Sequence, residues 1–185
     1  MKALAVHLTG ASGAGVSTLG RALAERTGAS QLDTDDFYWL PAEPAYSQER
    51  PIEARLRLIE AAMDGSGPRG WILSGSIGSW GEPLLKRISL VVFLRTATAI
   101  RVQRLKARER FRFGSSIEPD GPRHEQHERF IQWASDYDTG TKEGRNLALH
   151  EAFLARPKCP VLRLDGAEPV DTLVSRVLEQ QALDK

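Results

Sequence analysis

A single cysteine, Cys159, stands in 185 residues, so no internal disulfide is available and the chain suits a reducing compartment. Placed just ahead of an expected strand, it reads as a small core filler rather than a nucleophile. Long apolar runs are missing too, and nothing approaches the roughly 20 apolar residues of a membrane span. The first residues lack the pattern of a secretory signal. Charge of one sign is also scarce: the formal net charge is +1, which removes the global basic field that a nucleic-acid binder draws on. These absences point to a cytoplasmic protein with no membrane and no nucleic-acid partner. Internal repeats, low-complexity tracts and a linker long enough to split the chain are all missing, so residues 1–185 read as one domain. What is present, 41% hydrophobic and 26% charged residues, is a globular composition with enough chain for one substantial core.

Strand signals alternate with helix signals, which predicts a parallel sheet with crossover helices. Apolar runs mark strands at about 3–9, one ending at Leu32, one centred on Trp71-Ile72-Leu73, one at Ile88–Leu94 and one at Val161–Leu164. The fourth is apolar almost throughout, as a strand covered on both faces should be. Helical spacing appears over 17–26, stopped by Gly28, and over 50–64, where Ile52, Leu56, Ile59 and Met63 recur at i, i+4, i+7 and i+11. Further helices are expected at 97–110, 124–137, 144–155 and 169–182. Pro41, Pro44 and Pro51 punctuate a loop, and 111–123, with two glycines and two prolines, reads as another.

Residues 10–18 run Gly10-Ala11-Ser12-Gly13-Ala14-Gly15-Val16-Ser17-Thr18, between the first strand and the first helix. The spacing is that of the phosphate-binding P-loop, G-x-x-x-x-G-K-[ST], with Gly10, Gly15 and Ser17 in register and Val16 where the motif has lysine. Glycines permit positive φ and close approach, successive N–H groups form an anion nest, and the helix N-terminus adds positive potential. None of that requires the lysine, whose task is the β- and γ-phosphates and the charge of the transition state. Nucleotide binding through Gly10, Ser12, Gly13, Ala14, Gly15, Val16, Ser17 and Thr18 is therefore expected, with Ser17 able to ligate Mg²⁺, while catalysis is in question.

Asp33-Thr34-Asp35-Asp36 ends the second strand, where ligands of parallel sheets gather. Asp33 and Asp35 share a face if extended and are candidates for holding metal and orienting an acceptor; an acidic helix cap is the plainer alternative. Phe37-Tyr38-Trp39 either stacks on a ring or plugs the loop from beneath. Ser74–Gly81 is a small-residue turn that either approaches a ligand or is merely flexible. Arg101, Arg104 and Arg108 fall at i, i+3 and i+7 on one face of a basic helix, suited to clamping phosphate bidentately, and that helix runs into a lid at about 108–125. Their alternative is a solvated basic face. His124-Glu125-Gln126-His127 has one residue too few between Glu and the second His for a zincin motif, so it reads as a polar helix face. Phe130, Trp133 and Tyr137 read as core or cleft wall. Asp165-Gly166 after the last strand either contacts a nucleotide base or is a plain turn before Pro169. Asp136, Asp138 and Arg145 flank a Thr139-Gly140 turn and receive no role.

The order of these motifs resembles the small P-loop kinases related to adenylate and shikimate kinases. The resemblance rests on Gly10–Thr18, Asp33-Thr34-Asp35, Ser74-Gly75-Ser76, the arginine-rich helix and Leu164-Asp165-Gly166, and it covers most of the chain. The runs Leu32–Pro41, Trp71–Gly75 and His124–Glu128 look like bacterial members of that group. The resemblance implies a P-loop NTPase-type α/β sandwich of three layers, about five parallel strands with helices on both faces and a small lid. It also implies ATP and Mg²⁺ as cofactors, with Ser17 and Asp33 at the metal, Asp33 and Asp35 at the acceptor, and a nucleotide and a small-molecule phosphoryl acceptor as partners. Arg104 or Arg108 would then stand in for the lysine in a phosphotransferase acting on a nucleoside monophosphate or another small acceptor. The alternative that Val16 raises is a nucleotide-binding protein without phosphotransfer.

Overall fold

The computed structural model describes residues 3–43, 46–140 and 145–183. Five strands, β1 (Leu4–Gly10), β2 (Ser30–Asp33), β3 (Gly70–Ser74), β4 (Leu90–Arg95) and β5 (Val161–Asp165), form one sheet in the order β2-β3-β1-β4-β5. Every pairing is parallel. The order reverses beside β1, so the carboxyl ends of β1, β2 and β3 open on a shared crevice at a topological switch point.

Side-chain alternation along the central strands sorts the core into two layers. Val6 and Leu8 of β1 with Leu90, Val92 and Leu94 of β4 face one side. There they pack on Leu19 and Leu23 of α1 (Val16–Thr27) and on Val174 and Val177 of α7 (Val170–Leu183). Val91 and Phe93 face the other side, with Ile59 and Met63 of α3 (Ile52–Asp64) and Phe153 of α6 (Leu147–Leu154). Both faces of the sheet are thus covered, which is why β3 and β4 read as nearly unbroken apolar runs.

The remaining helices are α2 (Thr34–Tyr38), α4 (Thr98–Phe113) and α5 (His124–Ser135). Element boundaries shift from expectation by up to three residues, with larger departures at 34–38 and 111–123. Residues 34–38 form the short helix α2, hidden from periodicity by its length and capped by Asp33, whose side chain accepts from the Asp35 N–H. Ile88 lies outside β4, closing a 3₁₀ turn over Glu82–Arg87. The expected loop at 111–123 begins as helix: arginine-rich α4 continues to Phe113, a 3₁₀ turn follows over Gly114–Ile117, and only about 118–123 is irregular. Gly114, with φ of 54°, ends the helix. Asn146 caps α6 by accepting from the Leu149 N–H, which sets its start beyond the expected 144. Pro44 and Gly144 lie outside the described residues. No described helix is long and apolar enough to cross a membrane.

Candidate functional site

β1 ends at Gly10, residues 11–15 turn, and α1 begins at Val16 beneath the crevice. The turn needs backbone that L side chains rarely adopt. Gly13 has φ of 81°, and a Cβ there would lie 2.6 Å from the Arg101 carbonyl oxygen. Gly15 has φ of 102° and serves as the N-cap of α1 without a side chain. The first N–H groups of α1 have no intrahelical acceptor and lie at its positive end, so the turn is built to hold an anion. Val16 points inward. It is buried in the layer that also holds Leu8 and Leu94, and its methyl is 3.2 Å from where a Gly10 Cβ would be.

A cleft of about 1030 Å³ opens over this turn, lined by residues 10–18, by Asp33, Thr34 and Asp35, by Gly75 and Ser76, and by arginines and aromatics from α4 and α5. The Ser17 hydroxyl donates to Asp33 Oδ2 at 3.0 Å, while Asp33 Oδ1 accepts from the Asp35 N–H at 3.1 Å. Asp33 is therefore both helix cap and partner of the loop serine, so the two alternatives of the sequence coexist. Asp35 as a residue is exposed, yet loss of solvent around its carboxyl within the cleft pushes its pKa up. The charge of Asp33 adds to that rise, and Arg145 and Arg108 oppose it. Among the described residues no cluster of three or more His, Cys, Asp or Glu converges that could hold a metal by itself.

The basic helix divides by depth. Arg101 is 1% exposed and donates to the carbonyls of Thr96 (3.0 Å), Ala134 (3.0 Å) and Ser12 (3.5 Å), to the Thr98 hydroxyl (2.8 Å) and to Asp138 (3.2 Å). It lies behind the loop as a brace, away from the cleft wall. Arg104 lines the cleft and donates to Gly166 O at 3.0 Å, Ala14 O at 3.4 Å and Gly13 O at 3.5 Å. Arg108, one turn on, lines the cleft near Asp35. Asp165 turns its carboxylate onto the Ala167 N–H (2.9 Å) and is absent from the cleft lining; the backbone of Gly166 is what meets the loop side. The structure thus gathers residues 10–18, Asp33, Asp35, Arg104 and Arg108 around one cleft, and leaves Arg101 and Asp165 off its wall.

Arg145 is a cleft residue that the sequence did not single out. Its guanidinium donates to the Ser12 hydroxyl at 2.9 Å, lies 5.5 Å from the centroid of the Trp133 ring, and offsets the rise in Asp35. It reaches Ser12 across 133 positions of sequence, and no local pattern signals that. The aromatic triplet separates residue by residue. Phe37 packs against the core, Tyr38 lies under the Arg55 guanidinium at 3.7 Å, and Trp39 lines the cleft. His124 Nδ1 donates to Ile117 O at 3.0 Å, while His127 is buried 4.0 Å from Glu109. Cys159 is half-buried and packs against the α3–α6 layer.

Beneath the cleft, β1 carries polar groups on its α6 face. Thr9 Oγ1 is 3.2 Å from His150 Nε2, and His150 Nδ1 is 2.6 Å from the Tyr137 hydroxyl. His7 Nδ1 meets Leu73 O at 3.1 Å, while its Nε2 is buried without a partner. Burial brings both histidines down to a pKa of about 4 and raises Tyr137 to about 12. These imidazoles are neutral at pH 7.

Comparison with known proteins agrees with this architecture. A family model described as an AAA domain matches residues 6–114. The chain is 41% identical over 174 residues to an uncharacterized protein, YqaC, of Bacillus subtilis (strain 168), covering 94% of this chain and 95% of that one. Among solved structures it resembles a shikimate kinase from Bacteroides thetaiotaomicron (18% identity, TM-score 0.56, 97% and 98% of the two chains). A shikimate kinase from Acinetobacter baumannii, solved with shikimate, is similar at 19% identity and TM-score 0.56, over 97% and 93% of the chains. At these identities the likeness is one of fold: a five-stranded parallel sheet of the P-loop kinase type.

Proposed function

The chain belongs to the AAA domain family, and from that premise we propose that it is an ATP-dependent phosphotransferase acting on a small hydroxyl or phosphate acceptor such as a nucleoside monophosphate. The observation that carries this reading is the convergence of Ser17, Asp33 and Asp35 with Arg104, Arg108 and Arg145 on the cleft above the anion-holding turn. We take residues 1–185 as one functional unit, active in the cytoplasm, with 108–125 as a lid that closes over the phosphates.

The donor triphosphate lies against residues 10–18, where backbone N–H groups and the α1 N-terminus face it. Ser17 and Asp33 offer two hard oxygens 3.0 Å apart, a donor set that would hold Mg²⁺ together with phosphate and water oxygens. Mg²⁺, when bound, neutralises charge on the phosphates. In the transfer itself, the acceptor oxygen bonds to the γ-phosphorus. The bond from that phosphorus to the bridging oxygen breaks, and its electron pair leaves on ADP. Where the acceptor is a hydroxyl, Asp35 receives its proton, a task helped by the raised pKa. Val16 stands at the lysine position and is buried, so the compensating cation comes from α4. Arg104 is the candidate, lining the cleft with Nη1 3.6 Å from a Gly15 Cβ position.

The test is transfer of label from [γ-³²P]ATP into a small-molecule extract, followed by identification of the labelled product by mass spectrometry. A phosphorylated small molecule that vanishes with Asp35→Asn supports the reading; turnover indifferent to any acceptor contradicts it. One observation favours a second reading, nucleotide binding without transfer: Val16 is buried and offers no charge. Under that reading the protein binds nucleotide, transfers nothing, and gains ATP turnover only on Val16→Lys.

A further inference from the structure

What accepts the phosphoryl group, granted the phosphotransfer reading, is narrowed by the cleft wall beyond Asp35. Two aromatic pairs form it. On one side Trp39 hydrogen-bonds Asp35 and meets Tyr46 edge-on, with ring centroids 6.0 Å apart. On the other, Phe130 and Trp133 lie nearly parallel, 24° between planes and 6.0 Å between centroids. All four line the same cleft. The pairs converge on the point of transfer, because Trp39 bonds Asp35 directly and Arg145, which acts on Asp35, lies over Trp133 at 5.5 Å.

Cations extend the flat surface outward. Arg112 donates to the Tyr46 hydroxyl at 2.7 Å with its guanidinium 5.2 Å from that ring's centroid, and Arg123 lies 4.5 Å from the Phe113 centroid. Phe111 stands 95% exposed on the rim, a large apolar ring open to solvent. Such walls treat acceptor classes differently. A saturated polyol needs a hydrogen-bond partner for nearly every hydroxyl, and ring faces supply none, so its groups would be desolvated unpaired. A flat unsaturated ring stacks on tryptophan, tyrosine and arginine planes without that loss.

We infer that the acceptor carries its accepting oxygen on a molecule with a flat aromatic or heteroaromatic ring, as nucleosides and nucleoside monophosphates do, and that Trp39 and Trp133 are the residues that select it. The two sources differ at the accepting group. A nucleoside offers a hydroxyl whose proton passes to Asp35, whereas a monophosphate offers an oxygen that arrives already deprotonated. In both, the new bond forms at the γ-phosphorus and ADP leaves.

The experiment follows tryptophan fluorescence and ADP release with the full-length protein in three arms, after MgATP binding has been measured separately. The arms are nucleosides, nucleoside monophosphates, and three acceptors without an aromatic ring, ribose 5-phosphate, gluconate and shikimate. The expected result is quenching and acceptor-dependent ADP release in one of the first two arms only, with that arm naming the source. Trp133→Leu raises the acceptor KM tenfold or more and leaves the KM for MgATP within twofold; Trp39→Leu does the same, so the outcome does not hang on one variant folding. Preferential use of the acceptors without an aromatic ring, with MgATP bound normally, overturns the inference and leaves phosphotransfer standing. Absence of MgATP binding overturns the phosphotransfer reading and this inference with it.

Discussion

Replacing Arg104 by alanine separates a charge used in chemistry from one used in scaffolding. The Arg104 guanidinium touches Gly166 O at 3.0 Å and the Ala14 and Gly13 carbonyls at 3.4 and 3.5 Å, from an exposed position on the cleft wall. Water can reach those carbonyls once the side chain is gone, so the loss of stability should stay near the value of one ordinary hydrogen bond, about 0.5–1.5 kcal/mol. The effect on turnover is of another size. A donor that stabilises developing charge on transferring oxygens is worth about 2.7–4 kcal/mol, or roughly 10²–10³ in kcat. Arg104→Ala is therefore expected to lower kcat by that factor and to weaken MgATP binding by no more than about tenfold. Arg104→Lys, which keeps the charge but not the fork, should recover part of kcat. Acceptor-dependent ADP release gives kcat, calorimetry gives Kd, and a urea melt gives stability. An unchanged kcat refutes the assignment of the missing cation to Arg104. A collapse in stability with kcat per folded molecule intact makes the residue a brace like Arg101.

Three further outcomes follow from the same geometry. Gly13→Ala puts a Cβ 2.6 Å from the Arg101 carbonyl at φ of 81°, so nucleotide affinity should fall at least tenfold by calorimetry, and wild-type affinity would falsify the tight-turn account. Asp33→Asn keeps an oxygen to cap α2 but removes the charge beside Ser17; stability in urea should change by less than about 0.5 kcal/mol while nucleotide binding loses its Mg²⁺ dependence. A retained Mg²⁺ dependence would move the metal away from Asp33. The buried histidines set the acid response. With folded pKa values of about 4 against 6.5 unfolded, His7 and His150 bind protons more readily when unfolded, so stability is full above about pH 6.5 and is lost as pH falls toward 4. Between pH 7.5 and 5 each should cost roughly 2 kcal/mol, read as a lower urea midpoint; a midpoint that holds or rises contradicts the neutral, buried assignment.

The parts of this molecule written in local pattern were legible beforehand. Five apolar runs separated by helical spacing gave the parallel sheet, and Gly10–Thr18 marked the glycine turn between β1 and α1 because glycine spacing and its strand–helix context are local properties. Helix α2 carries no usable period in five residues, so the sequence offered it only as the helix that an acidic cap at Asp33 would start. The basic helix looked uniform in sequence, yet Arg101 is buried behind the loop while Arg104 and Arg108 face the cleft. Depth is decided by what packs against a helix, and Asp138 and Ala134, which anchor Arg101, lie more than thirty positions away. Arg145 depends wholly on tertiary contact with Ser12 and Trp133, so nothing in its own neighbourhood announced it.

Calorimetric titration of the purified protein with ATP, with and without Mg²⁺, tests whether this turn holds a nucleotide with valine at position 16. Mg²⁺-dependent binding in the micromolar range is expected, carried by the backbone of residues 10–18, Ser17 and Asp33. Neither heat nor thermal stabilisation with ATP at millimolar concentration would contradict it.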